Sequence, residues 1–224
     1  VAKWIDTRIA QADNDPVLIA ETGGQNVLVS DSSALPEQVV ADVLSSAFDS
    51  AGQRCSALRI LLLQEDVADH YYKMITEAIN EFSLGDPRLL STDIGPVIDQ
   101  EAKQNLENHK ANMRKVARAY VELEAPTNGH FVAPAVYLLD NLNQLQREVF
   151  GPILHIVRYK KENLVNVLNE VNAKGYALTG GCHSRIRKQM DLVEKHLHCG
   201  NFYINRNIVG AVVGVQPFGG HGLS

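Results

Sequence analysis

The chain is poor in cysteine, with three in 224 residues (Cys55, Cys182 and Cys199). An odd and sparse set cannot build a disulfide scaffold, so a reducing, cytoplasmic setting is expected. It has no apolar run near the ~18 residues of a membrane span, and the start Val1-Ala2-Lys3-Trp4 carries no signal-like apolar stretch. It lacks positive charge in excess: the formal net charge is -5, which removes any general attraction to nucleic acid or an anionic membrane. No G-x-G-x-x-G follows a strand and opens a helix, and no Walker sequence occurs. Low-complexity linkers and internal repeats are missing as well. With 45% hydrophobic and 21% charged residues, the composition is that of an ordinary soluble globular chain. Its length suits one compact domain with a real core.

Short apolar runs alternate with longer amphipathic segments. Strands are expected at Val17–Ala20, Asn26–Val29, Leu58–Leu63, Phe131–Leu138, Ile153–Tyr159, Leu178–Cys182 and Phe202–Asn205. Helices are expected at Glu37–Phe48, Glu65–Phe82, Asp99–Arg118, Glu162–Asn172 and Arg185–His196, with Asp31-Ser32-Ser33 as N-cap candidates and Pro36 near a first helical position. Strands alternating with helices require crossovers and so a mostly parallel sheet: an α/β fold. Leu58–Leu63 is apolar apart from Arg59, as a strand buried on both faces should be.

Cys55, in Gly52-Gln53-Arg54-Cys55-Ser56, falls between a helix end and a strand start, a junction that exposes a side chain. Arg54 beside it would favour a thiolate, whereas a buried cysteine would be inert packing. Glu21 ends an apolar run and precedes Thr22-Gly23-Gly24, so it reads either as a mobile general base or as a solvated turn residue. In Glu148-Val149-Phe150-Gly151-Pro152 a carboxylate and a ring sit two apart and can share one side of an extended segment. The carboxylate suits ribose hydroxyls and the ring offers a packing face; a surface Glu beside a core Phe is the alternative. Between Asn205 and Ser224, Gly210, Gly214, Gly219, Gly220 and Gly222 would let backbone approach a ligand closely, unless the tail is merely loose. Cys182-His183 and His196-Leu197-His198-Cys199 carry zinc-ligand chemistry, but their spacing matches no common finger, so no metal site is assigned.

Taken in order, Ala20-Glu21-Thr22-Gly23-Gly24-Gln25-Asn26, Gly52-Gln53-Arg54-Cys55, Glu148-Val149-Phe150-Gly151-Pro152 and Pro217-Phe218-Gly219-Gly220 resemble the catalytic domain of the aldehyde dehydrogenase superfamily across essentially the whole chain. The strings Ser45–Ala51 and Asn205–Gln216 resemble its L-glutamate γ-semialdehyde (1-pyrroline-5-carboxylate) dehydrogenase branch, as found in proline utilization A proteins. The resemblance implies a three-layer α/β/α domain spanning residues 21–224 and truncated at its C-terminus, with residues 1–20 a remnant of a preceding NAD-binding domain.

The resemblance further implies that Cys55 is the nucleophile forming a thiohemiacetal and thioester, that its backbone N–H is half of an oxyanion hole, and that Glu21 is the base for hydrolysis. It places Glu148 on the nicotinamide ribose of NAD with Phe150 beside it. Ser56, Gly210, Ala211 and Phe218 would hold the carboxylate end and aliphatic chain of the small aldehyde substrate. A homo-oligomer of the full-length protein is implied, with no nucleic-acid or membrane partner. The phosphate-cradling segment and the Asn that completes the oxyanion hole would precede residue 1, so this polypeptide by itself is expected to bind NAD poorly and not to turn over. Faces meant for that half would invite self-association. A non-catalytic assembly module, a zinc-binding structural domain and an NAD-independent cysteine esterase remain as other readings. The catalytic reading predicts that a thiol reagent labels Cys55 faster than Cys182 or Cys199; equal rates followed by mass spectrometry would count against a reactive Cys55.

Overall fold

The computed structural model describes residues 1–13 and 16–224. A seven-stranded sheet is built from β1 (Asn26–Ser30), β2 (Leu58–Gln64), β3 (Ala119–Glu122), β4 (Ala135–Leu139), β5 (Ile153–Tyr159), β7 (Thr179–His183) and β8 (Asn201–Ile204) in the order β3-β4-β5-β2-β1-β7-β8. Every pairing in it is parallel except that of β3 with β4. A separate ribbon pairs β6 (Tyr176–Ala177) with β9 (His221–Gly222) antiparallel. The helices are α1 (Ala2–Ile9), α2 (Pro36–Phe48), α3 (Glu65–Ile79), α4 (Gln100–Val116), α5 (Leu164–Asn172) and α6 (Arg187–His196).

The expected three layers are present, because alternate residues of each central strand feed two different cores. Leu28, Leu61, Leu63 and Ile156 meet Val39, Val43 and Phe48 of α2 and Tyr71, Ile75 and Ile79 of α3. On the other face Val27, Val29, Ile60, Leu62 and Val157 meet Leu106 and Met113 of α4, Leu168 of α5 and Val193 of α6. Covered on both sides, β2 is buried along its whole length, which explains its lack of alternation.

Several expectations fail locally. Val17–Ala20 is not a strand; Val17 and Ile19 are 88% and 84% exposed. The cap of α2 is Leu35 rather than Asp31-Ser32-Ser33, and no side chain caps it. The strand expected from Phe131 starts only at Ala135, and β3 at Ala119–Glu122 was not foreseen. β3 is a half-buried antiparallel edge with weak periodicity. It is held from the side: Glu122 accepts Arg114 Nε and Nη2 at 2.9 and 2.6 Å and the Tyr137 hydroxyl at 2.5 Å.

The two ends of the parallel sheet are dressed differently. At the C-terminal end, where open α/β sheets usually bind ligands, polar groups close on one another. Asp31 accepts from the Ser33 amide (2.7 Å) and hydroxyl (2.6 Å) and from the Ser184 hydroxyl (2.5 Å). Asn205 then brackets Ser184, accepting from its N–H and donating to its carbonyl at 2.9 Å each. The N-terminal ends of β2 and β5 are entered by the segments that carry Cys55 and, respectively, Glu148 and Phe150.

Between β5 and α4 lies a histidine pair, His155 buried and His109 half-buried. His155 Nδ1 donates to the Arg59 carbonyl at 3.0 Å, so its Nε2 accepts from His109 Nε2 at 2.9 Å. Both rings are therefore neutral. Burial, with the neighbouring His109, lowers His155 to about 3, and burial with Arg147 lowers His109 to about 4. An unfolded histidine binds a proton below ~6.5. The unfolded chain therefore holds more protons than the folded one as pH falls from about 6.5 toward 4, and stability drops over that window. The unfolding free energy obtained from denaturant titrations should fall by on the order of 1 kcal/mol per pH unit per ring between about pH 6.5 and about pH 5. Replacing both rings, as in His109→Asn with His155→Asn, should flatten that slope whatever it does to stability at neutral pH.

Candidate active site

The loop that carries Cys55 begins in an uncommon backbone. Ser50, Ala51 and Gly52 have φ of 58°, 53° and 64°, a run of left-handed residues after α2 of which only one is glycine. Ser50 and Ala51 each hold about 1–3 kcal/mol of strain there. The loop is pinned so that the strain persists. The Ser50 carbonyl accepts from the Gln53 N–H (3.1 Å), and its hydroxyl accepts from Arg54 Nε (3.1 Å). Gln53 Oε1 takes the Ile98 N–H at 2.8 Å. A Cβ on Gly52 would stand 2.2 Å from the Gly151 carbonyl oxygen, so glycine alone lets this loop lie against the segment that holds Glu148 and Phe150.

Cys55 follows, half-buried and reduced, three residues before β2. Its backbone is fixed by Asn26, the first residue of β1. Asn26 Nδ2 donates to the carbonyls of Cys55 (2.7 Å) and Ala57 (2.8 Å), while its Oδ1 accepts from the Thr179 N–H (3.0 Å). One buried amide thus ties the loop to β1 and β7 together. Cys182 and Cys199 are different in kind: burial pushes both thiols up to about 12, so they stay protonated at neutral pH. Among the described residues, no three His, Cys, Asp or Glu side chains gather as a metal cage.

Apart from Cys55 and Glu21, the expected residues fall into two groups. Ser56, Gly210, Ala211 and Phe218, with Val212, Val213 and Gln216, line one pocket of about 230 Å³. Glu148 and Phe150 line a larger cleft of about 950 Å³ walled by α4, with Asn105, His109 and Arg147 among its other residues. The Phe150 ring is 45% exposed. Glu148 is mostly buried, its Oε2 lying 2.2 Å from where Gly23 would carry a Cβ, and its Oε1 has no hydrogen-bond partner among the described residues. Burial raises the Glu148 carboxyl, against the pull of Arg59 and the Gly24 amide.

Glu21 is exposed on the extended segment before β1, not at a strand end as the sequence suggested. The glycine-rich tail is folded rather than loose. It pairs through β9, the Leu223 carbonyl accepts from the Thr22 hydroxyl at 2.7 Å, and the Pro217 carbonyl accepts from Asn201 Nδ2 at 2.7 Å. This return brings Gly219 to Glu21, whose Oε1 is 3.8 Å from the Cβ position of that glycine.

Arg59 is the one charged residue in the otherwise apolar run of β2. It is 1% exposed and forms the hub of the site: Nη1 donates to the Gly151 carbonyl (3.0 Å) and Nη2 to the Arg54 carbonyl (3.2 Å). The guanidinium lies 3.8 Å from Glu148 Oε1 and 5.3 Å from the Phe150 ring centre. Burial lowers its pKa to about 10, opposed by Glu148 and Cys55, so it is charged at neutral pH. A lone cation inside a doubly buried strand is a readable signal, since such a charge must have partners. Asn26 gave no comparable cue.

Gly24 sets the distance between β1 and the Cys55 loop: a Cβ there would lie 2.3 Å from the Cys55 carbonyl oxygen, with Asn26 Oδ1 at 2.6 Å. Main chain cannot swing aside as a side chain can. Gly24→Ala should therefore cost about 2 kcal/mol or more of stability and change the alkylation rate of Cys55 severalfold. Gly85→Ala, which meets only Thr92 Oγ1 at an ordinary 3.4 Å, serves as the neutral control. An unchanged alkylation rate in Gly24→Ala would mean that the loop is not seated against Gly24.

Comparison with known proteins agrees with this geometry. Residues 3–224 match the aldehyde dehydrogenase family. The chain is 54% identical, over its whole length, to the bifunctional protein PutA of Escherichia coli strain K12, and it covers 18% of that protein. It is 35% identical over 92% of its length to the 1-pyrroline-5-carboxylate dehydrogenase of Geobacillus sp. strain WCH70, covering 40% of it. Among solved structures, a bifunctional proline utilization A protein superposes with a TM-score of 0.96 at 53% identity, covering 100% of this chain and 23% of that one. A 1-pyrroline-5-carboxylate dehydrogenase from Thermus with bound NAD superposes at 0.84 and 32% identity, covering 91% and 39%. The chain thus spans about a fifth of the bifunctional relatives it matches. With its sequence, sheet order and loop placement in agreement, the chain belongs to the aldehyde dehydrogenase family.

Proposed function

We propose that this chain carries the nucleophile, the hydrolytic base and part of the NAD contact for oxidation of L-glutamate γ-semialdehyde to L-glutamate, a reaction of proline catabolism. The observation that carries this reading is the position of the Cys55 loop. It contributes Ser56 to the small pocket and is hydrogen-bonded through Arg59 to the segment whose Glu148 and Phe150 line the large cleft. The small cavity suits a short substrate and the large cleft a dinucleotide end, and the residue after Cys55 lines the first of them. The relatives named 1-pyrroline-5-carboxylate dehydrogenase supply the substrate class.

The residues present fit such a cofactor. The Glu148 carboxylate has acceptor capacity unspent on the protein, as a ribose hydroxyl requires, and the Phe150 ring is open to the cleft. Bound NAD would supply the hydride acceptor. On the protein side, the Cys55 thiolate adds to the aldehyde carbon while its own N–H steadies the oxyanion. Loss of hydride from that carbon leaves a thioester on Cys55. Glu21, exposed and free to swing, takes a proton from water, whose oxygen attacks the thioester carbonyl and expels the Cys55 thiolate with the carboxylate product. Ser56 and the backbone at Gly210 and Ala211 hold the substrate's own carboxylate through a hydroxyl and peptide dipoles, and Phe218 covers its methylenes.

The division of labour is testable in the full-length protein that contains this chain. Cys55→Ala should abolish NADH formation. Glu21→Gln should keep a single-turnover burst of NADH but slow the steady state by on the order of 10²–10⁴-fold. A steady state unaltered in Glu21→Gln would remove Glu21 from the hydrolytic step.

A further inference from the structure

Arg59 occupies a position where stability by itself would favour a hydrocarbon. Every residue of β2 is buried, and its neighbours Leu58, Ile60, Leu61, Leu62 and Leu63 are apolar. Taking a charge into such a place is costly, and an apolar residue of similar volume is often at least as stable there. The contacts of the side chain also say little about holding the sheet. Its two hydrogen bonds go to the carbonyls of Arg54 and Gly151, one on the nucleophile loop and one on the loop before β5. Its remaining interactions, with the Glu148 carboxylate and the Phe150 ring, belong to that second loop as well. Nε is left without a partner among the described residues, as is Glu148 Oε1, so the group does not complete its own hydrogen bonding.

We propose that Arg59 is a positioning residue: its buried guanidinium sets the Glu148 carboxylate in the orientation that meets the nicotinamide ribose. This rests on the reading of Glu148 as a cofactor contact. The planar fork is what the geometry needs. It reaches two carbonyls on different loops, lies over a ring and leaves a charge facing the carboxylate, whereas a lysine ammonium offers a point charge that cannot span both carbonyls. The backbone of the same residue is fixed independently, because the Arg59 carbonyl accepts from His155 Nδ1 in the core. The side chain is thus aimed from a rigid base.

The test is a double-mutant cycle in the full-length protein, with Arg59→Lys, Glu148→Gln and the double variant, reading KM for NAD apart from kcat, with thermal unfolding alongside. Arg59→Lys should raise KM for NAD about tenfold and change kcat by less than about threefold. In the Glu148→Gln background the same change should raise KM by less than about twofold, because the group it acts through is gone. An equal rise in both backgrounds, or none in either, overturns the proposal while leaving the cofactor reading intact. If Glu148→Gln by itself leaves KM for NAD unaltered, the cofactor reading fails and this proposal falls with it. Arg59→Gln, which keeps one donor for the Gly151 carbonyl, runs the same cycle if lysine is not tolerated. Failure of both variants to fold makes Arg59 a structural residue and overturns the assignment.

Discussion

A guanidinium buried among leucines and isoleucines can persist only if the loops around it present oxygen atoms and a ring, and in this chain those loops are the two that carry the candidate chemistry. Arg59 draws the Arg54 carbonyl, the Gly151 carbonyl, the Glu148 carboxylate and the Phe150 ring toward one point at the N-terminal end of β2. From the other side Asn26 fixes the carbonyls of Cys55 and Ala57. Gly24 and Gly52 make both approaches possible by leaving no Cβ in the way. The rest of the site depends on this packing of main chain against main chain, for which side-chain repacking offers little substitute.

The choice of sheet end follows from the same economy of polar groups. Parallel strands usually open toward ligands at their C-terminal ends. Here Asp31, Ser33, Ser184 and Asn205 satisfy one another at that end and close it. The segments that carry Cys55, Glu148 and Phe150 enter at the opposite end, where left-handed backbone at Ser50 and Ala51 turns the chain toward Cys55. Strain at such a place is tolerated because several hydrogen bonds and two strands over-determine it. The glycine-rich tail then returns across this end, tied down by Thr22 and Asn201, and gives the small pocket most of its wall.

How much of this was legible varies with the range of the cause. The runs at Leu58–Leu63 and Ile153–Tyr159 and the amphipathic spacing of α2 announced the elements they form, since burial on one or two faces imprints itself on neighbouring residues. Val17–Ala20 misled because four apolar residues in a row say nothing of what they would pack on. β3 was invisible because its pairing partner and its ion pairs, not its own alternation, hold it at the edge. Cys55, Glu148, Phe150, Ser56, Gly210, Ala211 and Phe218 stand out through family resemblance, and the structure puts Glu148 and Phe150 on one cavity and Ser56, Gly210, Ala211 and Phe218 on another. Arg59 was visible as an anomaly but not as a hub, and Asn26 was not visible at all, because the carbonyls it serves lie some thirty residues away.

The order of motifs by itself determined the family, the alternation of strands and helices, and which loop bears the thiol, since each is written in residues close together along the chain. The tertiary structure decided the end of the sheet at which the site lies, the return of the tail to Glu21, the separation of two cavities and the charge beneath them. Those features arise from contacts between segments far apart in sequence, where a hydrogen bond or a missing Cβ has meaning only once its partner is in place.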